Sequence, residues 1–182
     1  NLQAPLIGRH SIHTILRAIS VGLIEGLTWG EIITGLHQAS SQLRLVVVQT
    51  RHGALLLDDT YNASPESMLA ALNLLHELQG RRIAVLGGMN ELGPYELAGH
   101  QKVGMRAAEV ADELITYREN GRMIHDAAVA VGFQAEHLSH LQTEDEVVSR
   151  LDKMLRAGDV VLLKGAHSLR MDNIVQALEV EE

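Results

Sequence analysis

The sequence predicts an α/β fold: a mainly parallel sheet with helices on both faces, preceded by a helical segment. Three observations carry this. The first forty residues show apolar residues at helical spacing. From residue 54 onward, β-rich runs and amphipathic stretches alternate, which implies right-handed crossovers and a largely parallel sheet. A chain of 182 residues that is 46% apolar is large enough to bury one good core.

The elements follow in order. Ile12, Ile15, Leu16, Ile19 and Leu23 recur at helical spacing, and Gly26 closes that segment. "TWGEIITGLHQ" sets Thr28 three residues before Glu31, the reciprocal capping pattern, and continues with Ile32, Ile33 and Leu36 on one face. The opening therefore reads as a helix pair. "LRLVVVQT" and "ALLLDD" are β-rich runs separated by "RHG"; Gly53 suits a tight hairpin turn or a domain junction. Then come a helix over 65–79, a strand "RIAVLGG", a helix near 96–111, a strand "ELITY" and a helix near 121–131. A strand near 134–138, a helix over 144–156 opened by the capping pair Thr143 and Glu146, a strand "DVVLLKG" and a helix near 169–179 complete the chain.

Composition removes several function classes. A formal charge of −8 with no Lys/Arg block argues against a nucleic-acid partner, whose phosphates need clustered cations. Without cysteine there is no disulfide framework and no thiolate metal site. No apolar run approaches the roughly 20 residues that span a bilayer, so no membrane role is expected and a cytoplasmic location fits. The first residue is Asn1 and no signal-peptide pattern follows, from which a piece of a longer polypeptide is expected.

In open α/β sheets ligands collect where strands end, so the polar residues after each apolar run are the candidates. They are Asp58, Asp59, Tyr61 and Asn62; Gly87, Gly88, Asn90 and Glu91; residues 117–120; and residues 164–168. Adjacent carboxylates at a strand end point to different faces and can divide labour, one meeting a ribose hydroxyl or a metal-bound phosphate and the other ordering the loop. Solvated turn acids are the plain alternative. Asn62 offers donor and acceptor, and Ser64-Pro65 marks a helix start whose N–H groups suit an anion. Lys164 can meet a carboxylate or phosphate, or simply reach solvent. "LGGMNELG" lacks dinucleotide-loop spacing, and no G-x-x-x-x-G-K-[ST] occurs. The ten histidines include "HSIH" and "HLSH" but no H-E-x-x-H, and no metal site is expected.

"DDTYNASPESMLAAL" resembles the D-D-x-Y-N-A-N-P-x-S-M-x-A-A-L segment of the Mur ligase family, in its branch that adds D-alanyl-D-alanine to a UDP-N-acetylmuramoyl-tripeptide. "VLGGMNELG" resembles V-L-G-D-M-x-E-L-G, "HQKVG" resembles H-x-x-V-G, and "GDVVLLKGAHSLRMD" resembles G-D-x-V-L-V-K-G-S-R-S-M-R-M-E. "GRHSIHTILRAIS" resembles the G-x-H-N-x-x-N-x-L-A-A end of the family's central ATPase domain. The resemblance implies a C-terminal Rossmann-like domain over 54–182, with 1–53, a helix pair plus a strand, as the end of the central domain. It implies peptidoglycan-precursor synthesis with ATP and Mg²⁺, their phosphates and metal held mainly upstream. UDP-N-acetylmuramoyl-tripeptide and D-Ala-D-Ala would be the other substrates of a monomer. By motif position it implies nucleotide contacts from Asp59, Tyr61, Asn62, His10 and Ser11, and substrate contacts from Lys164, Ser168 and Arg170. No catalytic residue is assigned, and a fragment without the phosphate loop is not expected to catalyse ligation alone. Asp59→Ala is expected to weaken nucleotide use with little loss of fold stability.

The chain departs from the pattern at Ser11 and Thr14, where the family has Asn, at Gly88, where it has Asp, at Ala166-His167, and at "ITYREN". These departures keep open a ligase-derived binding module without catalysis. A receiver-like signalling domain shares the acidic pair and the terminal lysine, but the Asp it needs after the third strand is missing.

Overall fold

The computed structural model describes residues 11–38 and 45–180, without the side chains of residues 11, 13, 14, 37 and 38. The chain divides into two compact units, Asn1–Arg44 and Leu45–Glu182.

In the first unit, α1 (Ser11–Ile24) and α2 (Trp29–Gln38) form the expected helix pair. Gly26 takes φ +80°, and Leu27 N–H donates to Gly22 O at 2.9 Å, which closes α1 through its orphan carbonyls. Thr28 N–H donates to Glu31 Oε2 at 2.8 Å, while Glu31 N–H reaches Thr28 Oγ1 at 3.4 Å. Gly22 lets the two helices approach, since a Cβ there would lie 2.9 Å from Ile32 Cγ1.

The second unit is built on a six-stranded sheet among the described residues, with strand order β1-β2-β6-β3-β4-β5. The strands are β1 (Val46–Gln49), β2 (Leu55–Asp59), β3 (Arg82–Gly87), β4 (Glu113–Tyr117), β5 (Leu138–Leu141) and β6 (Val160–Lys164). Only the β1–β2 pair is antiparallel, in register from Val46↔Asp58 to Gln49↔Leu55; the other described pairs are parallel. Gly53, at φ +75°, donates its N–H to Thr50 O and closes the hairpin. β1, placed by sequence with the preceding domain, thus shares one compact unit with the sheet.

Successive strand residues point to opposite faces, and both faces are covered. Leu57, Ala84, Leu86, Leu114 and Leu162 pack with α3 (Pro65–Glu77), α4 (Glu96–Val110) and α5 (Arg118–Ala130). Leu56, Val85, Ile115, Val161 and Leu163 pack with α6 (Glu144–Met154) and α7 (Asp172–Leu178). Each named side chain on these strands is at most 3% exposed, so the sheet is a dry layer between two helical ones.

Three boundaries differ from the sequence reading. β5 runs over Leu138–Leu141 rather than 134–138, because Ala135–His137 form a 3₁₀ turn after Phe133 has docked on the core. α5 starts at Arg118, directly after β4, where φ of +57° turns the chain from strand to helix without a loop. The last helix starts at Asp172 instead of 169: His167–Leu169 form a 3₁₀ turn and Arg170 adopts φ +51°.

From β2 the chain steps over to β3, β4 and β5 and then returns to insert β6 between β2 and β3. The end of β6 is therefore flanked by the ends of β2 and β3, at the point where the order of crossovers reverses.

Candidate functional site

At the β2 end the two adjacent acids have separate partners. Asp58 Oδ1 accepts from Thr60 N–H at 3.0 Å and from its hydroxyl at 2.7 Å, which holds the turn. Asp59 Oδ2 lies 2.7 Å from Lys164 Nζ, the side chains being 14% and 2% exposed. Lys164 Nζ also donates to Asn62 O at 2.9 Å and reaches Asp59 O at 3.5 Å. The pleat separates the two charges, and the parallel register that sets Asp59 opposite Lys164 supplies the counter-ion for one of them. Removing Asp59 would leave a buried ammonium without this carboxylate, so the expectation that Asp59→Ala spares fold stability does not survive the geometry. Just beyond, Ser64 caps α3: its Oγ accepts from Ser67 N–H while Ser67 Oγ accepts from Ser64 N–H, with Pro65 as first helical residue.

Between β6 and β3 the backbones meet through glycine. A Cβ on Gly87 would lie 2.3 Å from Leu169 Cδ1, and one on Gly165 would lie 3.0 Å from Gly87 Cα. The 166–171 segment consequently lies across both strand ends, where Ala166 N–H donates to Gly88 O at 2.9 Å and Asn90 Nδ2 donates to Ser168 Oγ at 2.9 Å. His100, fully buried on α4, organises the other side of the β3 loop. Met89 N–H donates to His100 Nε2 at 2.9 Å, so Nδ1 carries the ring proton and donates it to Glu96 O at 2.7 Å.

The β4 end brings in Arg118. Its guanidinium sits 5.3 Å over the Tyr117 ring, its Nε donates to Tyr117 Oη at 2.9 Å, and it remains half-exposed. A cleft of about 410 Å³ opens here, lined by Gly88, Asn90, Arg118, Glu119, Asn120, Gln142 and Leu169. Gln142 Nε2, which can only donate, lies 2.8 Å from His140 Nε2; His140 Nδ1 therefore donates to Thr116 Oγ1 at 2.9 Å. Burial holds His140 below the ordinary histidine value, helped by His125, whose ring centroid is 5.7 Å away. His125 is lowered by burial first and by Arg122 second.

Among the described residues, the non-glycine positions with positive φ are Glu91, Arg118 and Arg170. They follow β3, β4 and β6, so left-handed backbone in side-chain-bearing residues is confined to the edge where ligands collect.

The candidates named from sequence thus separate into groups. Asp59, Asn62 and Lys164 meet in one part-buried contact around the Lys164 ammonium. Tyr61 is exposed, with its ring 5.9 Å from that of His167. Ser168 joins Asn90 instead, and exposed Arg170 pairs with Asp172, the first residue of α7, at 3.3 Å. His10 lies outside the described residues, as do the side chains of Ser11 and Thr14. Among the described residues no group of three or more His, Asp or Glu side chains is placed to hold a metal ion. None of their helices is long and apolar enough to cross a membrane. Sequence reasoning assigned no role to His100 or Arg118. "HQKVG" signalled the first through its motif, whereas nothing local foretells the left-handed turn at the second.

Comparison with known proteins places these residues in a family. Residues 43–167 match the model for the Mur ligase glutamate ligase domain. The UDP-N-acetylmuramoyl-tripeptide--D-alanyl-D-alanine ligase of Escherichia coli is 34% identical over 180 residues, covering 96% of this chain and 38% of the relative. The Synechocystis protein of the same name is 33% identical over 182 residues, covering 100% of this chain and 40% of the relative. The chain thus spans about two-fifths of the length of the curated relatives it matches. A crystal structure of MurF from Acinetobacter baumannii superposes with a TM-score of 0.80 at 28% identity, over 96% of this chain and 38% of that one. Family motif, parallel sheet and the polar edge built on β2, β6 and β3 agree: this chain belongs to the Mur ligase family, as the portion that carries its C-terminal glutamate ligase domain.

Proposed function

We propose that this chain is the C-terminal part of an ATP-dependent ligase that joins D-Ala-D-Ala to UDP-N-acetylmuramoyl-tripeptide in cytoplasmic peptidoglycan-precursor synthesis. The observation that carries the reading is similarity along the entire chain, 33% identical over 182 residues, to a relative of that name. ATP would supply the phosphoryl group that activates the tripeptide carboxylate for attack by the dipeptide amine. No phosphate-loop signature occurs in the 182 residues, and the described residues form no metal cluster, so we assign Mg²⁺ and the phosphates to a preceding domain. The helix pair over 11–38 is proposed as the end of that domain.

In this reading the β2 edge meets the nucleoside. The Tyr61 ring is exposed at this edge, and Asn62 and Asp59 stand beside it on a turn fixed by Lys164 and Asp58. His10 and Ser11 would add contacts from the preceding domain. Ser168 and Arg170 are proposed on the acceptor side, on the strap across the two glycines. Lys164, 1% exposed, is proposed to hold Asp59 and Asn62 in place rather than to touch the dipeptide itself.

The test is phosphate release by the full-length protein with ATP, Mg²⁺ and UDP-N-acetylmuramoyl-tripeptide, with and without D-Ala-D-Ala. Release that requires both acceptor and tripeptide is expected. Its absence from a folded protein would favour the non-catalytic binding module, a reading that the substitution at Gly88 supports.

A further inference from the structure

Position 88 holds Gly where the family motif has an acid, and the structure shows what fills the vacated space. A Cβ built on Gly88 would stand 2.2 Å from Asn120 Cβ and 3.1 Å from both Cα and the carbonyl carbon of Asn120. Two of these three neighbours are backbone atoms, so no rotamer change relieves the overlap. As long as Asn120 keeps its place, position 88 must be Gly.

Asn120 is put there by the start of α5. Arg118 turns the chain at φ +57° directly after β4, and Gly121, buried in the same turn, brings that turn onto the sheet: a Cβ on it would lie 3.4 Å from Leu86 O. From this position Asn120 Nδ2 donates to Glu96 Oε1 at 3.3 Å, on the first residue of α4. Asn120 therefore packs its Cβ and backbone against Gly88, just past β3, while its carboxamide reaches the start of α4, and it lines the 410 Å³ cleft together with Arg118, Asn90 and Gln142.

We propose that positions 88 and 120 are an exchanged pair. Asn120 supplies, from α5, the polar group that the motif places on the β3 loop, and acts as a positioning residue that fixes the β3 and β4 edges of the cleft. The exchange replaces a carboxylate with a neutral amide on an edge that already carries Glu91, Glu96 and Glu119. A ligand group held there experiences less negative potential, which suits a neutral or anionic group. In the ligase this concerns the acceptor dipeptide, and that part rests on the proposed function.

Two measurements on the full-length protein test it. Asn120→Ala keeps the Cβ and removes the amide; it is expected to raise KM for D-Ala-D-Ala by about fivefold or more while KM for ATP stays within about twofold. Gly88→Ala is expected to lower Tm by about 5 °C, and most of that loss should disappear when it is introduced into an Asn120→Gly background. Unchanged KM for the dipeptide in Asn120→Ala would overturn the positioning role. An equal Tm loss from Gly88→Ala in both backgrounds would overturn the exchange. If wild-type protein shows no substrate-dependent phosphate release, the ligase reading fails and the Tm cycle alone decides: coupling upholds the exchanged pair and additivity rejects it.

Discussion

Lys164 Nζ lies 2.7 Å from Asp59 Oδ2 across the β6–β2 register, with the lysine side chain 2% exposed. An ammonium at this depth depends on its carboxylate and on Asn62 O, and the same contacts shape the turn that presents Tyr61. Stability and the shape of that turn are therefore joined at one ion pair.

Asp59→Ala should destabilise the fold by about 3–5 kcal/mol, since it takes the facing carboxylate from a buried ammonium. Replacing both partners, as in Asp59→Leu with Lys164→Met, should recover most of that loss, and under the proposed function nucleotide use would stay impaired. Urea unfolding of wild type, Asp59→Ala and the double variant checks this; a single Asp59→Ala within 1 kcal/mol of wild type, about the value of an exposed pair, would refute it.

His100→Ala should cost about 2–4 kcal/mol, from the side-chain cavity and from the Met89 N–H left unpaired in a buried position. Amide hydrogen exchange should report it locally, with protection at Met89 lost before that of the central strands. Equal protection in mutant and wild type would mean that another group holds this loop.

Gly104→Ala should destabilise by about 1–3 kcal/mol, because a Cβ there would lie 2.4 Å from Ile124 O and 2.7 Å from Ala127 Cβ at the α4–α5 contact. A backbone carbonyl on a packed helix cannot step aside as a side-chain tip can. Denaturant unfolding measures the cost, and a neutral result would show that the two helices slide apart freely.

The fold should weaken as pH falls below neutrality. His125 and His140 are held below the ordinary value of 6.5, chiefly by burial, so the unfolded chain binds protons that the folded one resists. Their contribution is intact above 6.5 and is lost as pH drops through their lowered folded values. Asp112, held low by its bonds to Arg82, and Asp152, held low by Arg51 and His52, act in the same direction but only near and below 3.8. Chemical denaturation between pH 7 and 5 should therefore show a declining stability that flattens when both histidines become Gln. An unchanged slope in that double variant would assign the effect elsewhere.

The sequence made the alternation of strands and helices legible because apolar runs and caps are local: Thr28 with Glu31 and Thr143 with Glu146 cap as their spacing predicts. It made the polar cluster at the strand ends legible too, since Asp59, Asn62 and Lys164 all lie at or just after the ends of apolar strand runs. What it left out depends on register or on backbone handedness. Nothing local says that Asp59 will face Lys164, which is 105 residues away, or that Arg118 will turn into α5 without a loop. β5 was misplaced because "FQAEHL" carries its apolar residues on either side of a 3₁₀ turn, and only packing of Phe133 and Leu138 fixes where pairing begins.

The antiparallel β1 has a practical bearing. It satisfies the outer hydrogen-bonding edge of β2, a strand of three leucines that would otherwise offer an open template to another chain. A recombinant fragment begun at residue 54, where the sequence reading starts the C-terminal domain, would expose that edge and tend to self-associate. One begun at residue 45 keeps β1, a strand of only four residues, as the guard on the sheet.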